Sequence, residues 1–175
     1  MVKRKKLNLE LEIKSVFWAR VPGLKRRLDR AAEEIPRHLP ESLAFIAQKA
    51  ELVVLLTTDW RVQALNRDYR GLDRPTNVLS FPSFEGEELE MVGKMEDSPH
   101  IGDIALAYRY SAAEARREKK ILLDHVTHLV IHGILHLLGY DHESASEADV
   151  MERLEIDIMA ALGLPNPYAA VGEDE

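Results

Sequence analysis

The stretch with the clearest chemical potential is His132-Gly-Ile-Leu-His136-Leu-Leu-Gly139-Tyr-Asp-His142. Residues four apart on a helix share a face, with a rise of ~6 Å between them, so two imidazoles at that spacing can converge on one ion. Gly139 suits the left-handed backbone that ends a helix, which lets the chain turn and return His142 toward the same point. Three neutral nitrogens then fill three tetrahedral positions and leave a fourth for water, the arrangement of a catalytic rather than a structural zinc. Imidazole ligands favour Zn2+ over magnesium, with nickel, copper and iron as other divalent choices. The competing account is a set of ordinary core or surface histidines. A helix-ending glycine between the second and third makes that account weaker.

His125 and His128 continue the same stripe toward the helix start, at spacings of three and four residues. They are expected either to support the ligands and face substrate or simply to pack. His38 and His100 have no such context and read as incidental. The spacing from His132 to His142 also matches the extended zinc motif of metzincin peptidases, with one mismatch. Those enzymes need Glu directly after the first His as general base, and here that residue is Gly133. The mismatch counts against a peptidase, and the glycine is expected to leave space beside the metal.

These side chains need elements to hold them. Leu7, Leu9, Leu11 and Ile13 alternate with polar residues, which predicts a half-buried strand. Leu24, Leu28, Ala31 and Ile35 recur at helical spacing before Pro36, and Leu43 to Ala50 fits a short helix or a loop. Leu52-Val-Val-Leu-Leu-Thr57 reads as a buried strand, and Asp59 as the N-cap of a helix that ends at Gly71. Asn77 to Phe81, closed by Pro82, and Gly102 to Ala107 give two more strands. The stretch from Ser83 to Ser98, rich in Glu and Gly, is expected to be an exposed acidic loop. Helices follow over 111–120, 123–138 and 146–162, and the tail after Pro165 is expected to be extended and partly mobile. This order predicts an α+β fold: a small mixed four-stranded sheet packed with about five helices, with the metal-binding helix in the core in a zincin-like arrangement.

The 175 residues fit one domain over 1–175, and 46% hydrophobic with 30% charged residues is globular composition. Cysteine is absent, which excludes disulfides and thiolate metal sites and fits a reducing cytoplasm. The basic opening Met1-Val-Lys-Arg-Lys-Lys lacks the continuous apolar stretch of a signal peptide, because Asn8, Glu10 and Glu12 interrupt it. No run approaches the ~20 apolar residues of a membrane span. The net charge of −7 hides a division: basic residues predominate as far as Arg74 and acidic ones thereafter. Such a chain could offer a basic face to a polyanion, or merely carry solvated surface charge.

Three segments resemble the YbeY endoribonucleases, the bacterial rRNA maturation factors. Leu65-Asn66 through Tyr69-Arg70-Gly71 runs into Pro75-Thr-Asn-Val-Leu-Ser-Phe-Pro82, then come Gly102-Asp103-Ile104 and the eleven-residue histidine motif. Glu155-Ile156 and Pro167-Tyr168 are also similar, so the likeness spans most of residues 52–168. It implies a cytoplasmic, single-strand-specific, metal-dependent endoribonuclease that matures the 3′ end of 16S rRNA and serves ribosome quality control. Its partners would be single-stranded RNA or an rRNA precursor and the ribosome or small-subunit assembly factors, with no membrane. The resemblance carries metal binding onto His132, His136 and His142 and a catalytic arginine onto Arg70. A guanidinium offers a planar fork to two phosphate oxygens and stays charged at any working pH. The plainer role for Arg70 is a surface cation at a helix end. Thr76 and Asn77 could donate to phosphate or shape the turn into the strand. Asp141, His128 or a second water are the candidates for general acid or base. Two rival functions follow from the same residues: a ribosome-assembly adaptor in which the metal staples helix to turn, and the disfavoured zinc metallopeptidase.

Overall fold

A computed structural model describes residues 6–95 and 97–169. The basic opening through Lys5, Glu96 in the acidic stretch, and the tail from residue 170 lie outside the described residues. Four strands form one mixed sheet: β1 (Asn8–Ile13), β2 (Glu51–Thr57), β3 (Val78–Pro82) and β4 (His100–Ala107). Their order is β1-β2-β4-β3, with β1, β2 and β4 parallel and β3 antiparallel at one edge. Eight helices are present among the described residues: α1 (Val16–Ala19), α2 (Leu24–His38), α3 (Glu41–Ala47), α4 (Asp59–Arg70), α5 (Glu87–Val92), α6 (Tyr108–Arg117), α7 (Leu122–Leu137) and α8 (Ala145–Ala161). The α+β class and the four-strand mixed sheet are as the sequence predicts. The helix count exceeds five because α1, α3 and α5 are short.

One sheet face carries Leu52, Val54, Leu56, Ile104 and Leu106 into a core shared with α2, α7 and α8. The opposite face buries Leu79, Ala105 and Ala107 against Val62 of α4. Helix α7 is apolar around most of its circumference, with Val126, Leu129, Val130, Ile131, Ile134, Leu135 and Leu137 all buried, so it occupies the middle of the core. The helix that carries His132 and His136 is therefore held from several sides.

Several boundaries differ from expectation for local reasons. Helix α2 runs through Pro36 to His38 instead of stopping before the proline. Pro36 lacks the N–H that would reach the Ala32 carbonyl, and the Leu7 N–H takes that acceptor at 3.3 Å. Helix α4 is capped by Thr58, whose hydroxyl accepts from the Arg61 N–H, and not by Asp59. Asp59 instead accepts from the N–H groups of Arg109 and Tyr110, so it caps the first turn of α6 across the molecule. The stretch expected as an exposed acidic loop contains α5, whose Leu89 and Val92 are buried while Glu87, Glu88 and Glu90 face solvent. After Pro165, Pro167 is buried, so the described part of the tail is docked against the body.

Gly133 sets the spacing between α7 and the sheet. A Cβ there would meet Ile104 Cδ1 at 2.9 Å and Ser80 Oγ at 3.0 Å. The space that glycine leaves therefore lies against β3 and β4 and is used for packing, which corrects the expectation that it opens room beside a metal. Replacing a mid-helix Gly by Ala ordinarily stabilises by ~1 kcal/mol. Here the sign should reverse: Gly133→Ala is expected to destabilise by about 1–3 kcal/mol through overpacking, read as a lower urea midpoint. A raised midpoint would show that α7 and the sheet can separate at no cost.

Candidate active site

The cleft beside α7 has a volume of about 570 Å³, and its lining includes Arg70, Ser80, Glu85, His132, His136 and His142. Strand β3 presents Val78, Ser80 and Pro82 to it, every second residue, as a strand must. Beyond α7, Gly139 adopts φ 88°, and the turn it permits brings His142 back over the helix end. The ring centroids of His132 and His136 are 4.6 Å apart, and that of His142 lies 5.6 and 5.0 Å from them. One ligand nitrogen from each falls within 4.8 Å of the others, so the three rings can hold a metal ion.

The hydrogen bonds decide which nitrogens face one another. His136 Nδ1 lies 2.9 Å from the Tyr140 carbonyl, which can only accept, so its proton sits on Nδ1. His132 Nδ1 lies 2.6 Å from Glu155 Oε1, a carboxylate that also only accepts. Burial, reinforced by the neighbouring His132 and His142, lowers the His136 pKa and keeps that ring neutral. The Nε2 atoms of His132 and His136 face one another 3.1 Å apart. Two ring nitrogens at that distance must share a cation, either a proton or a metal ion. Nitrogens bound to one tetrahedral zinc at ~2.1 Å would stand ~3.4 Å apart, close to the observed separation. The donor set therefore fits a divalent metal.

Glu155 holds this arrangement from behind. It is fully buried on α8 and accepts from His132, from His128 Nε2 at 3.0 Å and from the Tyr168 hydroxyl. Burial alone would raise its pKa, but the hydrogen bonds from His128, His132 and Tyr168 outweigh it and bring the value to about 2. Burial and the Glu155 charge push the Tyr168 hydroxyl far above its ordinary value, so it remains a donor. Beyond the general likeness at Glu155-Ile156 and Pro167-Tyr168, sequence reading assigned neither residue a role. A signal existed for Glu155: it interrupts the buried stripe of Met151, Ile158 and Met159 on α8, where a lone carboxylate needs partners.

Arg70 sits at the last turn of α4, and one N–H of its guanidinium donates to the Ser80 carbonyl at 3.3 Å. The cleft thus contains the three histidines and the arginine together. Thr76 and Asn77 take the turn role: Asn77 accepts from the Val78 N–H at 2.6 Å and donates to Glu114 at 2.8 Å. His125 bonds the same Glu114 at 2.8 Å, so it belongs to a buried network beside α6 and not to the metal group. His38 and His100 each meet a carboxylate on their own element, Glu34 and Asp103. Asp141 lines the cleft, and its carboxylate accepts from the His142 N–H at 2.7 Å. Neither Asp141 nor Glu143 joins the three histidines as a fourth ligand among the described residues.

The family model described as endoribonuclease YbeY matches residues 21–163, which reaches further toward the start than the motifs themselves. An endoribonuclease YbeY of Bradyrhizobium diazoefficiens is 44% identical over 153 residues, 87% of this chain and 80% of that protein. The Allorhizobium ampelinum protein of the same name is 42% identical over 169 residues, 94% and 96% of the two chains. The solution structure of a Thermotoga maritima protein has the same fold, with a TM-score of 0.56 at 23% identity over 95% of this chain and 99% of that one. With the family model spanning most of the chain and such relatives covering nearly all of it, this protein belongs to the endoribonuclease YbeY family.

Proposed function

We propose that this protein is a single-strand-specific endoribonuclease that hydrolyses RNA phosphodiesters with one zinc ion held by His132, His136 and His142. Its substrate is the 3′ region of a 16S rRNA precursor, met in the cytoplasm on or near the small ribosomal subunit. The observation that carries the reading is the convergence of three histidine nitrogens, all within 4.8 Å of one another, in a cleft that also contains a guanidinium. The rRNA assignment rests on the likeness of the Arg70, Thr76 to Pro82 and histidine segments to the rRNA maturation factors. Imidazoles without thiolates favour zinc. No helix among the described residues is long and apolar enough to cross a membrane.

A bound divalent ion supplies Lewis acidity, acidifying a water and drawing charge from a phosphate oxygen. The protein's own groups do the rest. Glu155 and the Tyr140 carbonyl hold the Nδ1 edges of His132 and His136, so both Nε2 atoms are turned toward the position a metal would take. Arg70, anchored at Ser80, has further N–H donors without a partner among the described residues, which can clamp a phosphate and stabilise charge that develops on it. The absence of a fourth protein ligand among the described residues favours catalysis over a metal staple. The close contacts at Gly133 leave no room for the glutamate a peptidase would need there.

Purified protein is expected to contain about one equivalent of zinc, lost when any of His132, His136 or His142 becomes Ala. Full occupancy by elemental analysis in the His142→Ala protein would remove that residue from the site. Glu155→Gln keeps the shape but not the charge, and should weaken zinc binding by about 10- to 100-fold. An unchanged affinity in a zinc-buffered titration would reduce Glu155 to a packing residue. Arg70→Glu should abolish cleavage of single-stranded RNA while zinc content and circular dichroism stay as in wild type. Arg70→Lys should restore only part of the rate, because a point charge replaces a planar fork. Wild-type cleavage by the Arg70→Glu protein would sink the phosphate role.

A further inference from the structure

The histidine site leaves one strongly marked surface unused. Strands β1, β2 and β4 are parallel neighbours, so the segments that leave them lie side by side along one edge of the sheet. β1 leads to α1, β2 to α4 and β4 directly into α6. Open sheets with parallel strands commonly take ligands outside this carboxyl edge. Trp60, in the first turn of α4, is 75% exposed there, and Val16, Phe17 and Tyr110 are exposed with it. The apolar surface is thus a patch and not a single side chain. Phe17 stacks on Tyr108 with ring centroids 5.3 Å apart, and the Arg109 guanidinium lies over the Phe17 ring at 5.7 Å. The Asp59 carboxylate accepts from the N–H groups of Arg109 and Tyr110, which sets Trp60, the next residue, beside the first turn of α6. Two further exposed cations flank the patch, Arg20 at the end of α1 and Arg61 next to Trp60.

We propose that this patch is an exosite for single-stranded RNA: Trp60 stacks an unpaired base several nucleotides from the cut, and Arg20, Arg61 and Arg109 take the phosphates around it. The proposal rests on the RNA-cleaving reading above. A flat aromatic offers a π-face to any base, and guanidiniums beside it answer the backbone, the combination that holds single strands without reading their sequence. Phe17 supports the Arg109 guanidinium from below, which keeps that charge at the surface. The Asp59 carboxylate is spent on the α6 N–H groups, so it offsets little of the positive charge a polyanion would meet. Helix α4 joins the patch to the cleft. Trp60 and Arg70 stand near its two ends, about 15 Å apart along the axis. Arg67 is exposed two turns on from Trp60, on the same stripe. A strand clamped by Arg70 and running along α4 reaches the indole within a few nucleotides. A duplex has its base faces already stacked, so the patch selects single strands at a distance from the chemistry.

Trp60 reports on itself, because the other tryptophan, Trp18, is buried. On mixing zinc-loaded full-length protein with single-stranded oligoadenylate, before turnover, Trp60 fluorescence is expected to be quenched. An abasic ribose-phosphate strand of the same length should bind more weakly and leave it unquenched. Trp60→Ala is expected to weaken oligoadenylate binding about tenfold, read on mixing by anisotropy of a labelled strand, and Trp60→Phe to recover most of it. The Trp60→Ala KM for a long single strand should rise by the same factor with kcat unchanged. Its rate on an RNA too short to leave the cleft should equal that of wild type. Arg20→Ala with Arg61→Ala should flatten the log–log salt dependence of binding by about 0.7 per arginine. Equal affinities of wild type and Trp60→Ala for oligoadenylate, or equal quenching by the abasic strand, would overturn the platform. Self-association that depends on Trp60, with no quenching by RNA, also overturns it and makes the patch an interface between copies. Cleavage of long RNA by Trp60→Ala at the wild-type KM overturns the exosite while the endoribonuclease reading stands. Quenching by oligoadenylate in a protein that cleaves no RNA overturns that reading and keeps the platform.

Discussion

A carboxylate with no solvent exposure is the most demanding feature of this molecule, because a buried charge is tolerated only when its lone pairs are met. Glu155 meets them with donors from two turns of α7 and from the segment beyond α8. The same three bonds that satisfy the charge orient His132, hold His128 and pin Tyr168 against the His128 ring. Stability and site geometry are thus one problem here: α8 cannot shift against α7 without exposing a charge to an apolar core. The capping box at Ser144 and Glu147 fixes where α8 begins, with its N-cap two residues after His142, and so limits the turn that presents this ligand.

The other side of the cleft is built by bonds that cross between elements. Asn77 and His125 share Glu114, which joins the entry of β3 to α6 and α7. Ser80 takes part twice, through its carbonyl to Arg70 and through its hydroxyl to the Gly133 carbonyl at 3.4 Å. The arginine and the histidine helix are therefore both referenced to one strand residue, which is how groups some sixty residues apart in sequence keep a fixed spacing. Asp59 adds a similar tie between the start of α4 and the start of α6.

Much of this was legible in the sequence, for a physical reason. Period-two and period-3.6 patterns record which face is buried, so β2, β4, α2, α7 and α8 are readable from Leu, Val and Ile spacing. The three histidines and Gly139 are local, and local geometry is what spacing encodes. What escaped depends on distant chain. Nothing next to Pro36 says that Leu7 will bond the Ala32 carbonyl it leaves free, and nothing next to Asp59 names α6 as the helix it caps. The acidic character of 83–98 concealed α5 because that helix buries Leu89 and Val92 alone, too few for a period. Gly133 was read from its neighbour His132 when its contacts are with Ile104 and Ser80 across the core.

The closeness of the three histidines in sequence has a thermodynamic side. Because they span eleven residues, chelation closes only short loops, and the unfolded chain can bind the ion too. An ion that binds both states stabilises the fold only by the difference between the two affinities. That difference comes from the parts the unfolded chain lacks: the Glu155 carboxylate and the Tyr140 carbonyl, which hold two rings in one tautomer before the ion arrives. Metal linkage to folding in this protein is thus governed less by the ligands than by the groups standing behind them.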